Sequence, residues 1–146
     1  QLRHIPSSLV DQLELNEEVE RIVSRDIIKR CIRKAKHRGN FAANLAAELF
    51  SKEERITGNC TGTRGKRQLS PRRLAIVKEI TFRMYAGNAI QQAALSTNST
   101  VTTAAIVQEF EEAWRKECIT AIDAKNRSIG RDLIRTTSSG TTTTAA

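Results

Sequence analysis

Aromatic residues are scarce in this chain of 146 residues, at four Phe, one Trp and one Tyr, or 4% of the sequence. The core must therefore be built mainly from Leu, Ile, Val and Ala, which favours packed helices over a β-sandwich. The scarcity also disfavours a single-stranded nucleic-acid site, because such sites stack bases on aromatic rings. The hydrophobic fraction of 39% is adequate for one modest core.

Cysteine and histidine are too few and too scattered to suggest a metal site. Cys31, Cys60 and Cys118 are far apart, no CxxC pair occurs, and the histidines are His4 and His37. Structural zinc needs about four closely arranged ligands, so we expect no metal and no cofactor. An odd number of separated cysteines is typical of a reduced, intracellular chain.

Long apolar runs are also absent. No stretch approaches the roughly 20 residues that span a bilayer, and no signal-peptide pattern is visible, so we expect no membrane partner. The chain begins with Gln1, as expected of a fragment of a longer protein. We expect no enzymatic activity, because no cysteine has a histidine partner in its sequence context and no carboxylate pair stands out.

Positive charge is in excess. Lys and Arg number 24 against 16 Asp and Glu, which gives a formal net charge of +8. Such an excess attracts any polyanion, independent of its sequence. Ribosomal and membrane-surface proteins share this property, so charge alone does not identify the partner.

Helical periodicity dominates the chain from Ser24 onward. Apolar residues recur every three to four positions, and the candidate N-cap residues Ser24, Ser51 and Ser70 precede predicted helical segments. The predicted helices cover residues 24–38, ending at Gly39, then 41–50 with Asn40 as N-cap, a short turn from Ser51, 70–84, and 102–128. These patterns predict an all-α fold, a single compact domain of about five helices with a long C-terminal helix.

Composition divides the chain into three parts. Residues 1–23 form an acidic N-terminal segment, which we expect to be partly helical, and residues 24–135 form the domain. Within it, the Ala-, Gln-, Asn-, Ser- and Thr-rich residues 85–101 are expected to be a mobile connector. Gly130 is expected to break the last helix, and the Thr/Ser/Ala-rich residues 136–146 are expected to be disordered.

The loop from Thr61 to Ser70 is the most informative segment for function. Gly62 and Gly65 expose backbone N–H groups, and the positive N-terminus of the next helix follows directly. The candidate phosphate-binding residues here are Arg64, Lys66, Arg67, Ser70, Arg72 and Arg73. Such groups suit phosphate oxygens, although a solvated basic loop fits the local sequence equally well.

A nucleotide-binding P-loop is disfavoured for this segment. Cys60 stands where the first glycine of that motif belongs, and Arg67 stands where Ser or Thr should follow the lysine. No strand is predicted before the loop. We therefore set a nucleotide site aside.

A second polar cluster follows the apolar stripe of the long helix. Its candidate residues are Lys125, Asn126, Arg127, Ser128 and Arg131. A helix fits the major groove of B-DNA, where Arg or Lys reaches guanine and Asn reaches adenine. Cations that only complement the helix dipole are the alternative, which the local sequence alone favours. The basic face of residues 29–38 is interpreted as solvated surface.

Several stretches resemble the BEN domain, and together they cover roughly residues 24–130. They are LAAELFSKEE at 45–54, TGNCTG at 57–62, GKRQLSPRRL at 65–74, and WRKEC at 114–118 with Ile122-Asp123 and Asn126-Arg127. The order of these motifs is not a generic helical pattern. The departure from the family is the segment at 85–105, which is long and polar compared with the usual link.

The resemblance implies an all-α domain that binds double-stranded DNA in chromatin and transcription proteins, often repressors, and in some poxvirus proteins. It implies that the last helix enters the major groove, with Lys125, Asn126, Arg127 and Arg131 as candidate groove contacts. Basic loops would lie on the backbone or in the minor groove. The expected location is the nucleus, or the viral factory for a viral protein. The alternative is a protein-interaction or self-association module, with a homodimer or co-repressor proteins as partners.

Overall fold

The computed structural model describes the backbone of residues 5–145 and the side chains of residues 5–132. Its helices are α1 (Glu17–Ile22), α2 (Arg25–Lys34), α3 (Arg38–Leu49), α4 (Lys52–Thr57), α5 (Pro71–Thr81), α6 (Gly87–Leu95), α7 (Thr103–Ala113) and α8 (Ile119–Ala145). A 3-10 turn (Ser7–Gln12) precedes α1, and π turns join α5 to α6 (Phe82–Ala86) and α7 to α8 (Trp114–Cys118). The predicted all-α class is confirmed.

Helix α3 lies at the centre of the fold. It packs most extensively on α8 and also contacts α2 and α5. Phe41, Ala42, Leu45 and Ala46 are all buried on it. Small alanine side chains let the neighbouring helices approach closely, so one short helix can support several others.

Serine caps fix the starts of three helices as the sequence predicted. Ser24 Oγ accepts from the backbone N–H of Ile27 over 3.2 Å, which begins α2. Ser51 and Glu54 form a complete capping box at the start of α4. Ser70 caps α5, which has proline at its first position. Each cap satisfies backbone donors that the first helical turn leaves free.

The boundary between α2 and α3 was predicted wrongly. Gly39 does not end α2 but lies inside α3. Glycine is needed there because the backbone of Glu117 approaches closely: a Cβ at position 39 would lie 3.0 Å from the Glu117 carbonyl oxygen. The cap of α3 is His37, whose Nδ1 accepts from the backbone N–H of Asn40. Asn40, the predicted cap, instead accepts from the backbone N–H of Lys36.

The predicted connector is largely helical. Residues 85 and 86 belong to the first π turn, and α6 covers 87–95, leaving 96–102 without helix. The Tyr85 ring packs 5.7 Å from that of Phe41, and the Phe82 ring packs edge-on at 5.2 Å from that of Phe110. These contacts anchor a segment whose Ala and Gln residues are good helix formers, although its apolar stripe is weak.

Helix α8 does not end at Gly130. Its bounds continue to Ala145, although a disordered tail was predicted from residue 136. Glycine inside a helix costs about 1 kcal/mol relative to alanine but does not forbid the helix. The side chains of this tail lie outside the described residues. Among the helices of residues 5–145, none combines the length and apolar character that crossing a bilayer requires.

The acidic N-terminal segment packs on the domain. Its Val10 side chain is fully buried, and the Val10 carbonyl oxygen accepts from Arg25 Nη1 over 2.6 Å. Asp11 forms an ion pair of 2.9 Å with Lys29, and Glu18 pairs with Arg72. The segment therefore shares the core of the domain and neutralises part of its basic surface.

Candidate nucleic-acid interface

The segment between α4 and α5 is a loop organised by the side chain of Asn59. Asn59 Oδ1 accepts from the backbone N–H groups of Gly62 at 2.6 Å and Thr63 at 3.1 Å. Its Nδ2 donates to the Thr63 carbonyl oxygen over 3.0 Å. A parallel pair of two-residue strands, β1 (Gly58–Asn59) and β2 (Arg67–Gln68), closes the base of the loop. The sequence predicted a loop here but neither the strand pair nor the role of Asn59.

The tip of this loop is a type I′ turn from Thr63 to Lys66. The Lys66 N–H donates to the Thr63 carbonyl oxygen over 3.0 Å, and Arg64 and Gly65 have φ angles of 57° and 73°. Of the described residues, Arg64 is the one non-glycine with positive φ. An L-residue in this conformation costs roughly 1–2 kcal/mol. The fold thus holds an exposed arginine at a strained position, which is common at functional sites.

Two contacts hold the loop and α4 against α8. The backbone N–H of Cys60 donates to Asp123 Oδ1 over 3.0 Å, and Arg55 Nε donates to Asn126 Oδ1 over 2.9 Å. These bonds bring the two predicted basic clusters together. A pocket of about 50 Å³, called here the loop pocket, lies between α4, the loop and α8. It is lined by Arg55, Gly58, Asn59, Arg64, Lys66, Asp123, Asn126 and Arg127.

Asn126 is buried, contrary to its predicted role as a base-contacting residue. Only 5% of it is exposed, and its oxygen is occupied by Arg55. The prediction failed because Asn126 follows Ile122 by four positions and therefore shares the face of α8 that packs on the core. A base edge cannot reach this side chain directly.

The three predicted residues at the start of α5 serve the fold. Arg73 forms an ion pair of 2.6 Å with Glu54, donates to the Leu49 carbonyl oxygen, and lies 4.4 Å from the Phe50 ring centroid. Ser70 is the helix cap, and Arg72 pairs with Glu18. Arg72 remains exposed, so it is the one of the three that another anion can reach by displacing a carboxylate.

Lys66 has a partner of its own in the loop. Its Nζ donates to the Ile56 carbonyl oxygen in α4 over 2.8 Å. This contact places an ammonium group at the negative end of the α4 dipole. The side chain is therefore fixed in position while Lys66 remains exposed as a residue.

A second polar pocket lies on the other side of α8. It measures about 170 Å³ and is called here the α2 pocket; it is lined by Arg30, Cys31, Lys34, Asn44, Ala47, Glu48 and Lys125. Arg30 pairs with Glu48 at 2.8 Å, which leaves Lys34 and Lys125 without an ion pair inside the described residues. The basic face of α2 was interpreted as plain solvated surface, but the fold places it next to Lys125.

The exposed face of α8 lies between the two pockets. Successive helical residues are about 100° apart, so Lys125 and Arg127 lie on opposite flanks when Asn126 points inward. Ala124, Ser128 and Arg131 then share the outward face. Ala124 and Arg131 are exposed, and Ser128 is half-buried. Arg67 is also exposed, and its side chain makes no hydrogen bond within the described part of the chain.

The cysteine thiols near this surface are buried. Burial raises the pKa of the Cys31 thiol to about 11, and burial together with the nearby Asp123 carboxylate raises the pKa of Cys60 further. Within residues 5–132, no three His, Cys, Asp or Glu side chains are close enough to hold a metal ion. What this surface presents is arranged positive charge.

Comparison with known proteins supports the BEN resemblance. The chain is 28% identical over 115 residues to BEN domain-containing protein 3 of Mus musculus, and equally so to the protein of that name from Homo sapiens. The match covers 75% of this chain but 12% of the length of each relative. No family model matches the chain, and no solved structure matches it significantly. The similarity therefore suggests a BEN-like protein.

Proposed function

We propose that this chain is a double-stranded DNA-binding domain of a chromatin or transcription regulator, acting as a repressor in the nucleus. The observation that carries the proposal is the convergence of Arg64 and Lys66 in the loop with Arg127 on α8. The chain resembles the BEN family, whose members bind DNA, and this resemblance supports the same partner. A binding role needs no catalytic group, so we propose no enzymatic activity.

Helix α8 is the element that we propose enters the major groove. Its outward face carries the small Ala124 and Ser128 next to Arg131, so the helix backbone can approach base edges closely. Arginine at such a position reads guanine, and an alanine methyl contacts the thymine methyl. Lys125 and Arg127 on the flanks would contact phosphates on either side of the groove.

The loop is proposed to contact the DNA backbone. Arg64 and Arg67 are exposed, and their side chains make no hydrogen bonds within the described residues. Because the strand pair and Asn59 fix the loop, these side chains can meet a phosphate without the loop first becoming ordered. Arg73 is excluded from the proposed interface, since Glu54 and Phe50 occupy its guanidinium.

Selection from a random duplex library at near-physiological salt tests the function. An enriched motif is expected, and its symmetry would show whether two copies bind together. Arg64→Ala should weaken binding to all sequences about equally, whereas Arg131→Ala should relax the preference. Arg115→Ala is the control, because Arg115 is exposed and lines neither pocket. The proposal would be refuted if the protein did not retain duplex DNA in a salt-sensitive manner.

A protein-association module is the second candidate function. Leu95 and Val101, at the two ends of the link between α6 and α7, are 79% and 56% exposed, so a partner could bury their apolar surface. A homodimer or a co-repressor protein would cover them. Light scattering across a range of protein concentrations and salt distinguishes the two roles: self-association that survives salt, without DNA retention, would favour this candidate.

A further inference from the structure

Two buried nitrogen atoms beneath the basic loop lack a hydrogen-bond partner within the described residues. They are Arg55 Nη2 and Asn126 Nδ2. Buried polar groups are almost always satisfied by protein, water or ligand. Burial also lowers the pKa of the Arg55 guanidinium, since its charged form is poorly solvated there. This pair therefore needs an acceptor that the described residues do not provide.

The hydrogen bond between the two residues defines what is missing. Arg55 Nε donates to Asn126 Oδ1 over 2.9 Å, and arginine has donors only. The oxygen of the amide must therefore face Arg55, and its NH₂ group must point elsewhere. Both unpartnered atoms are donors. Their partner must therefore offer an acceptor atom, which an apolar group or a cation does not have.

The surroundings indicate that this acceptor is anionic. The loop pocket is lined by four cationic side chains, Arg55, Arg64, Lys66 and Arg127, against the one carboxylate of Asp123. Asp123 Oδ1 already accepts from the backbone N–H of Cys60. Charge-assisted bonds to an oxyanion are stronger than those to water, so a bound oxyanion satisfies these donors better than water alone.

The size of the pocket limits the ligand. Its volume of about 50 Å³ accommodates a few water-sized groups. Peripheral oxygens of a tetrahedral phosphate fit this space, whereas a nucleobase or an extended carboxylic acid does not. Arg64 and Arg127 line the pocket and are exposed residues, so the rest of the phosphate group can remain in solvent.

We propose that the loop pocket is a phosphate-binding site in which Asn126 Nδ2 and the Arg55 guanidinium donate to phosphate oxygens, with Arg64, Lys66 and Arg127 around its mouth. Where that phosphate is a phosphodiester of duplex DNA, the inference rests on the proposed function. Free phosphate shares the same chemistry. The site gives Asn126 a role as a positioned donor beneath the DNA backbone and not as a reader of bases.

Nuclear magnetic resonance of the side-chain amide of Asn126 and the Nε–H of Arg55 tests this site directly. The full chain is titrated with inorganic phosphate and, separately, with a duplex. The ionic strength is held constant in both titrations, and chloride serves as the control anion. Saturable shifts of both resonances with either ligand support the site. Shifts with the duplex alone identify a phosphodiester, and shifts with phosphate alone identify a free-anion site.

The matched variants are Asn126→Asp and Asn98→Asp. The first keeps an acceptor for Arg55 but replaces the NH₂ donor with a second carboxylate oxygen, so the fold is expected to persist while phosphate is repelled. Its duplex affinity should fall at least tenfold, and the slope of log affinity against log salt should decrease by about one unit. Asn98→Asp makes the same charge change at an exposed loop position and should leave the duplex affinity and its salt dependence unchanged.

The outcomes separate this site from the proposed function. Duplex binding with unshifted Asn126 and Arg55 resonances, and an unaffected Asn126→Asp variant, would mean that the pocket holds water only. That result overturns the site and leaves the function standing. No duplex binding by the unmodified chain overturns the function, and the phosphate titration then decides the pocket by itself.

Discussion

Arg55 Nε donates a hydrogen bond to Asn126 Oδ1 over 2.9 Å, and this bond joins α4 to α8 beneath the basic loop. The two residues are distant in the sequence, and both are largely withdrawn from solvent. A second bond, from the Cys60 N–H to Asp123 Oδ1, fixes the adjoining loop on the same helix. The relative position of the two basic clusters therefore depends on polar contacts below the surface.

The first prediction concerns the stability that this bond provides. Asn126→Ala should lower the free energy of unfolding by about 1–3 kcal/mol, because it leaves the partly buried Arg55 guanidinium without its acceptor. Urea denaturation followed by circular dichroism measures the change. The control is Arg127→Ala, an exposed neighbour that should change stability by less than about 0.5 kcal/mol. Equal stability of the Asn126→Ala and unmodified proteins would contradict the buried position of Asn126.

A second prediction separates the strain of the loop from its charge. Arg64→Gly should leave stability unchanged or raise it by up to about 1 kcal/mol, since glycine adopts positive φ freely. The same change removes a proposed phosphate contact, so duplex affinity should fall for all sequences. Thermal unfolding and salt-dependent binding measure the two effects.

Gly65→Ala is the matched control for Arg64→Gly. A Cβ at Gly65 meets no atom within 4 Å, so its cost is conformational and comes from the φ of 73°. It should lower stability by roughly 1 kcal/mol and leave the charge of the loop intact. Loss of stability in Arg64→Gly would show that the arginine side chain supports the fold.

The sequence predicted the elements of this domain better than their arrangement. Serine caps and apolar stripes are local signals, so the starts of α2, α4 and α5 were correct. Gly39 was misassigned because the atom that requires glycine there, the Glu117 carbonyl oxygen, is distant in the sequence. Helix α6 was missed because its apolar stripe is weak and tertiary packing, including the Tyr85 contact with Phe41, stabilises the segment.

Composition located the residues of the candidate site in outline. It did not show the buried hydrogen bonds and ion pairs that hold those residues in place. Counting cations located the loop and residues 125–131 of α8, and no sequence rule showed that Arg73 is occupied by Glu54. Asn126 was misjudged from its residue type, although its spacing of four from the apolar Ile122 indicated the buried face. The helical period was thus the better guide at that position.

A third prediction follows from the pKa of Glu54. The Arg73 guanidinium, and then the Ser51 N–H, lower the pKa of this carboxyl from 4.5 to about 2. A pKa lowered in the folded state stabilises the fold above pH 4.5, and this contribution is lost as the pH falls toward 2. Because Glu54 and Arg73 are both partly exposed, the contribution is about 1 kcal/mol or less.

Glu54→Gln provides the comparison for that pH dependence. Urea unfolding of the two proteins should differ at pH 7, and the difference should shrink between pH 4.5 and pH 2 as Glu54 is protonated. The variant keeps an amide oxygen for the Ser51 N–H, so the helix cap is largely preserved. A difference that stays constant over this range would contradict the lowered pKa.

A fourth prediction concerns the thiols. Burial raises the pKa values of Cys31 to about 11 and Cys118 to about 12, so little thiolate is present at neutral pH. Alkylation by iodoacetamide at pH 8 should be at least tenfold slower in the folded protein than in urea, since thiolate is the reactive form. Mass spectrometry of the intact protein counts the modified sites. Rapid labelling of Cys60 alone would indicate local opening of the loop from α8.

The last prediction tests which face of α8 docks on DNA in the proposed complex. Ala124 is exposed and lies opposite the buried Asn126 on the helix, so Ala124→Glu should leave the unfolding free energy within about 0.5 kcal/mol of its original value. The added carboxylate would face phosphates and base edges at close range, so duplex affinity should fall at least a hundredfold. Ala94→Glu is the control, because Ala94 is an exposed helical alanine on α6, remote in sequence from both clusters. Fluorescence anisotropy with a selected duplex compares the two variants. Equal affinities would mean that α8 meets DNA through one of its flanks, with the loop or α2 as the leading element.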